Sequence, residues 1–164
     1  MVGIAVSVII TFLLDRISKV AVLKYAFGLS FPDATKFGES VPLIKDVFHL
    51  TYHGNTGVAF GMLKDNKILL IVLCAFILAL ILFYIYKTKP STMVEKICYG
   101  LIIGGALGNV FDRIVYGFVI DFLDFCIINY PIFNVADSFI VVGTITLAVY
   151  ILFFEKGKDT VGKD

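Results

Sequence analysis

The sequence has little charge for its length. Only 16% of its 164 residues are Asp, Glu, Lys or Arg, against roughly 25% in an average soluble domain. Apolar side chains replace them, since 59% of the residues are hydrophobic and the mean hydropathy is +0.95. The formal net charge is only +1, whereas a nucleic-acid-binding domain needs a basic face. This is the composition of a membrane protein, and it gives no reason to expect a nucleic-acid partner.

Cysteine and histidine are also scarce. Cys74, Cys98 and Cys126 are an odd number without a CxxC spacing, which predicts small core residues and no disulfide or metal framework. The two histidines, His49 and His53, stand four residues apart on a predicted strand, where their separation suits a zinc ion poorly. We therefore expect neither a metal nor another cofactor.

Long apolar runs are what the sequence has in abundance. A helix needs about 20 mostly apolar residues to cross the hydrocarbon core of a membrane, and residues 2–23, 68–86, 97–115 and 134–154 meet this need. The first run has no basic segment before it and no small-residue cleavage site after it, so we predict a retained span rather than a signal peptide. The pattern predicts a four-helix transmembrane bundle that is all-α apart from a small β element.

The lysines indicate how these spans are oriented. Four spans place both termini on one side of the membrane and the first and third connections on the other. The third connection has no Lys or Arg beyond Arg113, so the positive-inside rule puts both termini in the cytoplasm. Lysines on the cytoplasmic side of this arrangement are Lys87, Lys89, Lys96, Lys156, Lys158 and Lys163. The first connection carries Lys36, Lys45 and Lys64, which count against the assignment.

The first connection, residues 24–67, is long for a helix bundle, and loops beyond about 15 residues usually have structure or function of their own. Residues 46–53 (DVFHLTYH) alternate between apolar and polar, which is typical of a strand. Gly54-Asn55-Thr56-Gly57 then supplies turn chemistry before residues 58–60 resume the apolar pattern. We predict a small external hairpin or sheet here.

Polar side chains interrupt the apolar runs at one common level. An ionisable side chain costs about 2.5 to 3.5 kcal/mol at the centre of a membrane helix. At a rise of about 1.5 Å per residue, these side chains lie at similar depth near one face of the bundle. So many groups from four segments favour a functional site over structural ion pairs or hydrogen bonds between helices. The residues at this level are Asp15, Lys19, Asn109, Asp112, Arg113, Asn134 and Asp137. Asp121 and Asp124 lie within or beside the same apolar segments.

Two of the acids could face one cavity. Asp121 follows the third span after a break at Gly117, Asp137 begins the fourth span, and Pro131 turns the chain back between them. Two carboxylates that meet in a low-dielectric pocket hold one proton between them. One can then activate a water while the other polarises a peptide carbonyl, without a metal. The same acids could relay protons in a small proton-coupled transporter or channel subunit, although transporters are commonly larger and built from repeats. A structural membrane subunit is a third possibility.

Four dispersed motifs resemble those of bacterial lipoprotein signal peptidase, the type II signal peptidase that cleaves prolipoproteins. They are DRISK at 15–19, NTGVAF at 55–60, GALGNVFDR at 105–113 with VIDF at 119–122, and FNVADS at 133–138. The resemblance covers almost the whole chain, with matching order and spacing. It implies one membrane peptidase domain over residues 1–155, with an extracytoplasmic β-cradle at about residues 36–62 between the first two helices, and a flexible cytoplasmic tail at residues 156–164.

The resemblance also implies an aspartic endopeptidase. Asp121 and Asp137 match the catalytic pair of the family. The positions that match substrate-binding or supporting residues are Asp15, Lys19, Asn55, Gly57, Asn109, Asp112, Arg113 and Asn134. The implied substrate is a diacylglyceryl-modified prolipoprotein, cut on the amino side of its lipidated cysteine at the outer face of the bacterial cytoplasmic membrane. The implied partners are this substrate and membrane lipids, and we expect a monomer.

Overall fold

The computed structural model describes residues 1–57, 66–128 and 130–155. In these residues the helices are α1 (Val2–Ala26), α2 (Lys67–Thr88), α3 (Met93–Val115) and α4 (Val135–Tyr150), and Ile151–Glu155 continues α4 as a π-helical turn. The strands are β1 (Ser40–Ile44), β2 (Phe48–Asn55) and β3 (Val119–Phe125). Short 3-10 turns form at Ala34–Lys36 and Cys126–Ile128. The predicted mostly helical fold with a small β element is confirmed.

Three helices of the described chain, α2, α3 and α4, are long and apolar enough to cross a membrane. Their positions agree with three of the predicted spans to within about one helical turn. The remaining predicted span coincides with α1, whose 25 residues would suffice in length. Asp15, Arg16, Lys19 and Lys24 all lie within α1, so its apolar character is much weaker than that of α2.

Helices α1 and α3 approach closely because α3 presents glycine to α1 at every fourth position. A Cβ atom on Gly104 would lie 2.6 Å from the Cβ of Thr11 and 2.8 Å from the carbonyl oxygen of Val8. A Cβ atom on Gly108 would lie 2.5 Å from a carboxylate oxygen of Asp15. Small residues let two helix backbones meet in this way. This glycine seam therefore holds the Asp15 carboxylate directly against α3.

Helix α2 is attached much less closely than the other helices. Of its 22 residues, only Leu70 near its start and Ile85 near its end are buried. Ile85 joins an apolar cluster with Ile4, Tyr99 and Ile103. The middle of α2 therefore leaves space beside α3.

The three strands form one antiparallel sheet in the order β1-β2-β3. The predicted strand at residues 46–53 is confirmed, but the predicted turn at Gly54 and Asn55 is wrong, because both residues still belong to β2. They pair with Ile120 and Val119 of β3, and this pairing keeps the backbone extended. The hairpin reverses upstream instead, between β1 and β2. The predicted return at residues 58–60 lies outside the described residues.

The third strand comes from a part of the chain far from the first connection. Strand β3 follows α3 after a turn at Gly117, whose φ of 86° suits glycine. Ile120 and Phe122 of β3 pack with Leu23 of α1 and Tyr52 of β2 in a second apolar cluster. The sheet is thereby fixed over the end of α1, with Asp121 between two core residues of β3.

Candidate active site

Asp137 is held at the first turn of α4 by a reciprocal cap. The Asn134 side chain accepts a hydrogen bond from the Asp137 backbone N–H at 3.0 Å, and the Asp137 carboxylate accepts one from the Asn134 backbone N–H at 3.1 Å. Such a cap satisfies two helix donors that otherwise lack partners. The sequence Asn-Val-Ala-Asp therefore fixes the direction of the Asp137 side chain as the helix begins.

Asp121 lies on β3 and is completely buried. Its two carboxylate oxygens accept hydrogen bonds from the side-chain amides of Asn55 at 2.9 Å and Asn134 at 2.6 Å. Asn55 comes from β2, the neighbouring strand, and its own side-chain oxygen accepts from the Gly57 backbone N–H at 2.9 Å. The pairing of β2 with β3 thus positions Asn55, one of the two amide partners, next to Asp121.

Asn134 connects the two acids. Its side-chain amide donates to Asp121 while its backbone N–H donates to Asp137. Asn109 of α3 adds a second connection, because it donates to Asp137 at 2.7 Å and accepts from Asn134 at 3.1 Å. Asp121 and Asp137, 16 positions apart in the sequence, belong to one hydrogen-bonded network.

Burial changes the acidity of Asp121. Loss of water around the carboxyl group raises the pKa of Asp121 to about 7, and the neighbouring charge of Asp137 acts in the same direction. The hydrogen bonds from Asn55 and Asn134 and the charge of Lys19 oppose the rise without cancelling it. At neutral pH this carboxyl group can therefore hold a proton, although an exposed aspartate has a pKa of about 3.9.

Behind the two acids lies a group of four charges, which we call the charge quartet: the buried Asp15, Lys19 and Asp112 and the partly exposed Arg16. Lys19 contacts Asp15 at 3.0 Å and Asp112 at 2.7 Å, and Arg16 contacts each of the same two acids at 2.5 Å. Asp112 also accepts from the Ile120 backbone N–H at 3.1 Å, and Lys19 donates to Asn109 at 3.3 Å. The quartet thus ties α1 to α3 and to β3.

Arg113 has a different set of partners from those of Asp112. Its guanidinium donates to the carbonyl oxygen of Gly57 at 2.8 Å and to that of Asn109 at 3.4 Å, while its Nε is buried without a partner among the described residues. Arg113 therefore does not neutralise its neighbour Asp112. It leaves a positive charge beside Asn109, close to the two acids.

A cavity of about 430 Å³ opens beside this network. Its polar lining is Asn55, Asn109, Arg113 and Asp137. Its apolar wall is formed by Leu70, Leu73, Cys74 and Ile77 of α2, Ala106 of α3, Ile140 of α4 and the segment 130–133. Asp121 is not part of the lining, but Asn55, which donates a hydrogen bond to it, is. A ligand in this cavity would meet a carboxylate, two amides and a cation on one side and hydrocarbon on the other.

All ten candidate site residues from the sequence fall into this one network of hydrogen bonds and ion pairs. The sequence interpretation missed Arg16, although it lies inside the DRISK motif; its i, i+1 position beside Asp15 gave no sign that it reaches Asp112. Asp124 lies apart from the network, where it accepts from Thr51 at 2.7 Å. Within the described chain, no group of three or more His, Cys, Asp or Glu side chains could hold a metal ion.

Apolar helices that can cross a membrane, together with buried acids beside a cavity, are features of the class of membrane enzymes. Two solved bacterial membrane enzymes have the same fold. One, determined by the in meso method at 2.3 Å resolution, superposes with a TM-score of 0.81 over 100% of this chain and 94% of its own, at 25% identity. The other, at 1.9 Å, superposes with a TM-score of 0.76 over 94% of this chain and 95% of its own, at 26% identity.

Residues 7–153 match the family model described as signal peptidase (SPase) II. The lipoprotein signal peptidase of Halothermothrix orenii is 46% identical over 152 residues, which are 93% of this chain and 97% of the relative. That of Clostridioides difficile is 42% identical over 142 residues, 87% of this chain and 89% of the relative. The chain belongs to the signal peptidase II family and is a peptidase, as the motifs predicted.

Proposed function

We propose that this protein is an intramembrane aspartic endopeptidase that removes the signal peptide from diacylglyceryl-modified prolipoproteins, with Asp121 and Asp137 as its catalytic pair. The removal of lipoprotein signal peptides follows from the family and from the names of its relatives. The observation that carries the catalytic assignment is the double role of Asn134, which hydrogen-bonds one acid through its side chain and the other through its backbone.

The two acids take different roles in this proposal. Asp137 lines the cavity and acts as the base, so that it takes a proton from a water whose oxygen attacks the scissile carbonyl carbon. Asp121, with its pKa of about 7, gives its proton to the carbonyl oxygen. When the tetrahedral intermediate collapses, the C–N bond breaks and the leaving amine takes the proton held by Asp137. The hydroxyl proton of the intermediate returns to Asp121, which restores the pair.

The neighbouring residues support these two acids. Asn55 must give up its hydrogen bond before Asp121 can reach a substrate, and it is then free to bind the substrate backbone. The Arg113 charge lies where it can stabilise negative charge that develops on the carbonyl oxygen. Lys19, Asp15, Asp112 and Arg16 hold α1, α3 and β3 in register around the pair.

The proposal includes the membrane arrangement predicted from the sequence. All four helices span the membrane, with both termini in the cytoplasm and the sheet on the outer side, and residues 1–155 work as one domain followed by the tail. The positive-inside pattern supports this orientation, and the shared level of the acids supports cleavage near the outer face. The enzyme works as a monomer surrounded by membrane lipids.

A hydrolysis assay in detergent micelles tests the function. The purified protein is incubated with a lipobox peptide that carries a diacylglyceryl cysteine, and with the same peptide lacking the lipid. We expect cleavage of the lipidated peptide on the amino side of the cysteine, detected by mass spectrometry. Proton-coupled transport needs a sealed membrane, whereas hydrolysis does not. If the lipidated peptide stayed intact in micelles, the result would contradict the peptidase proposal and favour the transporter alternative.

The pH dependence of cleavage should report the proton held by Asp121. Because burial raises the pKa of Asp121 to about 7, the carboxyl group is protonated below that pH and ionised above it. We expect kcat/KM to fall as pH rises through about 7, with a slope of one proton. A profile that stays flat up to about pH 9, measured at a temperature at which the enzyme remains folded over the whole range, would contradict the role of Asp121 as the acid.

A further inference from the structure

A second groove, of about 390 Å³, adjoins the cavity at Asp137. Tyr130, Phe133 and Asp137 line both spaces, so they form the partition between them. We call this second space the α4 groove. Its other lining residues are Phe125, Ile128, Ser138, Val141 and Val142. Any ligand that filled both spaces would meet Asp137 where they join.

The two spaces differ in what they can bind. The cavity offers Arg113, whose Nε is buried without a partner among the described residues, so that it can bind a peptide carbonyl. Asn55 and Asn109 also line the cavity and can bind a peptide once they exchange the hydrogen bonds they now make. In the α4 groove the Ser138 hydroxyl already donates to the Asn134 carbonyl at 3.1 Å. The carboxylate of Asp137 already accepts two hydrogen bonds from other residues. A peptide backbone buried here would find fewer partners than in the cavity, namely the Tyr130 hydroxyl and the remaining lone pairs of Asp137. Unpaired backbone groups are costly away from water, whereas an acyl chain requires no partners.

The position of the α4 groove also suits a lipid. Val141 and Val142 are 50% and 55% exposed on α4, a helix that can cross a membrane. Phe125, Phe133 and Ile128 close the groove from the side of the sheet and its following turn. An acyl chain could therefore slide in from the bilayer between these aromatic side chains and α4 without passing through water.

We propose that the α4 groove holds an acyl chain of the substrate's diacylglyceryl group while the peptide lies in the cavity. The inference rests on the proposed function, and it assigns the two parts of one substrate to the two spaces that join at Asp137. The lipidated cysteine then lies at the partition, beside the acid. This placement explains in structural terms how an enzyme could select the bond next to a lipidated residue.

Substitutions that fill the groove test the proposal. Val142→Phe and Val141→Phe add bulk on the lipid-facing side of the groove, where neither is expected to prevent folding. Val149→Phe is the matched control, since Val149 is also a half-exposed valine of α4 and lines neither space. Each protein is assayed with two substrates of identical sequence, one carrying dipalmitoylglyceryl and one carrying a diacylglyceryl group with acetyl chains.

We expect either groove variant to raise KM for the dipalmitoyl substrate by about tenfold, with kcat little changed, because the lost contacts belong to binding. KM for the acetyl substrate should stay at the wild-type value, and Val149→Phe should change neither. Equal rises for both substrates, or no rise for the dipalmitoyl substrate, would overturn the proposal.

A binding measurement separates this proposal from the function it rests on. A fluorescent dipalmitoylglyceryl peptide is titrated into the single variant Asp121→Asn and into the double variant Asp121→Asn/Val142→Phe, so that no cleavage occurs. The same tenfold loss of affinity is expected in the groove variant, and equal affinities would refute the groove assignment. A wild-type protein that bound the peptide in the expected way but cleaved neither substrate would instead refute the proposed function.

Discussion

Replacement of Asp137 or Asp121 by asparagine should abolish cleavage of the lipidated peptide. Asparagine has the shape of aspartate, but at position 137 it cannot take a proton from water and at position 121 it cannot give one to the carbonyl oxygen. General acid or base catalysis by one group contributes about 10²- to 10⁴-fold, and a pair that acts as a unit loses most of its effect when either member is removed. We expect kcat to fall at least about 10³-fold for each variant, measured with the micelle assay.

Asp124→Asn is the matched control for this experiment. Asp124 lies on the same strand as Asp121 but bonds to Thr51 outside the network. The control should therefore retain activity close to that of the wild type. Retained cleavage in purified Asp121→Asn or Asp137→Asn would remove the catalytic assignment, whereas loss in the Asp124 control would indicate that the sheet tolerates no change.

Thermal unfolding of Asp121→Asn gives a second, independent test of whether Asp121 is protonated in the folded protein. A pKa of about 7 means that native Asp121 keeps its proton between about pH 4 and pH 7, while the unfolded chain releases it. The native state binds more protons in that window, so its stability falls as pH rises and levels off above about 7. The asparagine variant lacks this pH-dependent contribution to stability. The melting temperature of the variant minus that of the wild type should therefore be larger at about pH 8 than at about pH 5. The opposite trend would mean that Asp121 is ionised in the folded protein.

Asp112→Asn should weaken folding severely and reduce activity in part. The substitution removes one of the two negative charges that balance Arg16 and Lys19 in the buried quartet. Loss of one partner from a buried ion pair typically costs 3 to 5 kcal/mol, so we expect a destabilisation of about 3 kcal/mol in detergent. The hydrogen bond to the Ile120 N–H also weakens, which loosens the backbone next to Asp121. A wild-type melting temperature would contradict the structural role of Asp112.

Glu39→Gln is the surface control for Asp112→Asn. It breaks the ion pair between Lys36 and Glu39, whose side chains are 47% and 41% exposed, and exposed pairs of this kind contribute about 0 to 1 kcal/mol. It should leave stability nearly unchanged. The double variant Lys19→Met/Asp112→Asn removes one charge of each sign, so its loss should be smaller than the sum of the two single losses. Strict additivity would show that the two charges do not interact.

The helices and the shared level of their polar residues could be predicted from the sequence, because apolar runs of about 20 residues are rare outside membrane spans. The network itself could not be predicted in detail. Arg16 reaches Asp112 across the glycine seam, and no spacing along α1 indicates which helix it faces. Strand β3 was missed because VIDFLDF does not alternate and follows an apolar helix directly. Its extended form depends on pairing with β2, a contact between distant parts of the chain.

The weak attachment of α2 has a consequence for the range of signal sequences that one such enzyme can process. Leu70 and Ile85 fasten this helix at its two ends, and its middle forms one wall of the cavity. The acids, by contrast, stand on α4 and β3. The quartet joins β3 to α1 and α3, and α4 packs directly on α3, because a Cβ atom on Gly105 would lie 2.6 Å from the carbonyl oxygen of Ala136. If the peptide binds in this cavity as proposed, we expect a bulky side chain of the peptide to push α2 outward while the two acids keep their positions. On this proposal, tolerance towards the sequence of the substrate belongs to α2, and the positions of the catalytic groups are set by the other helices and the sheet.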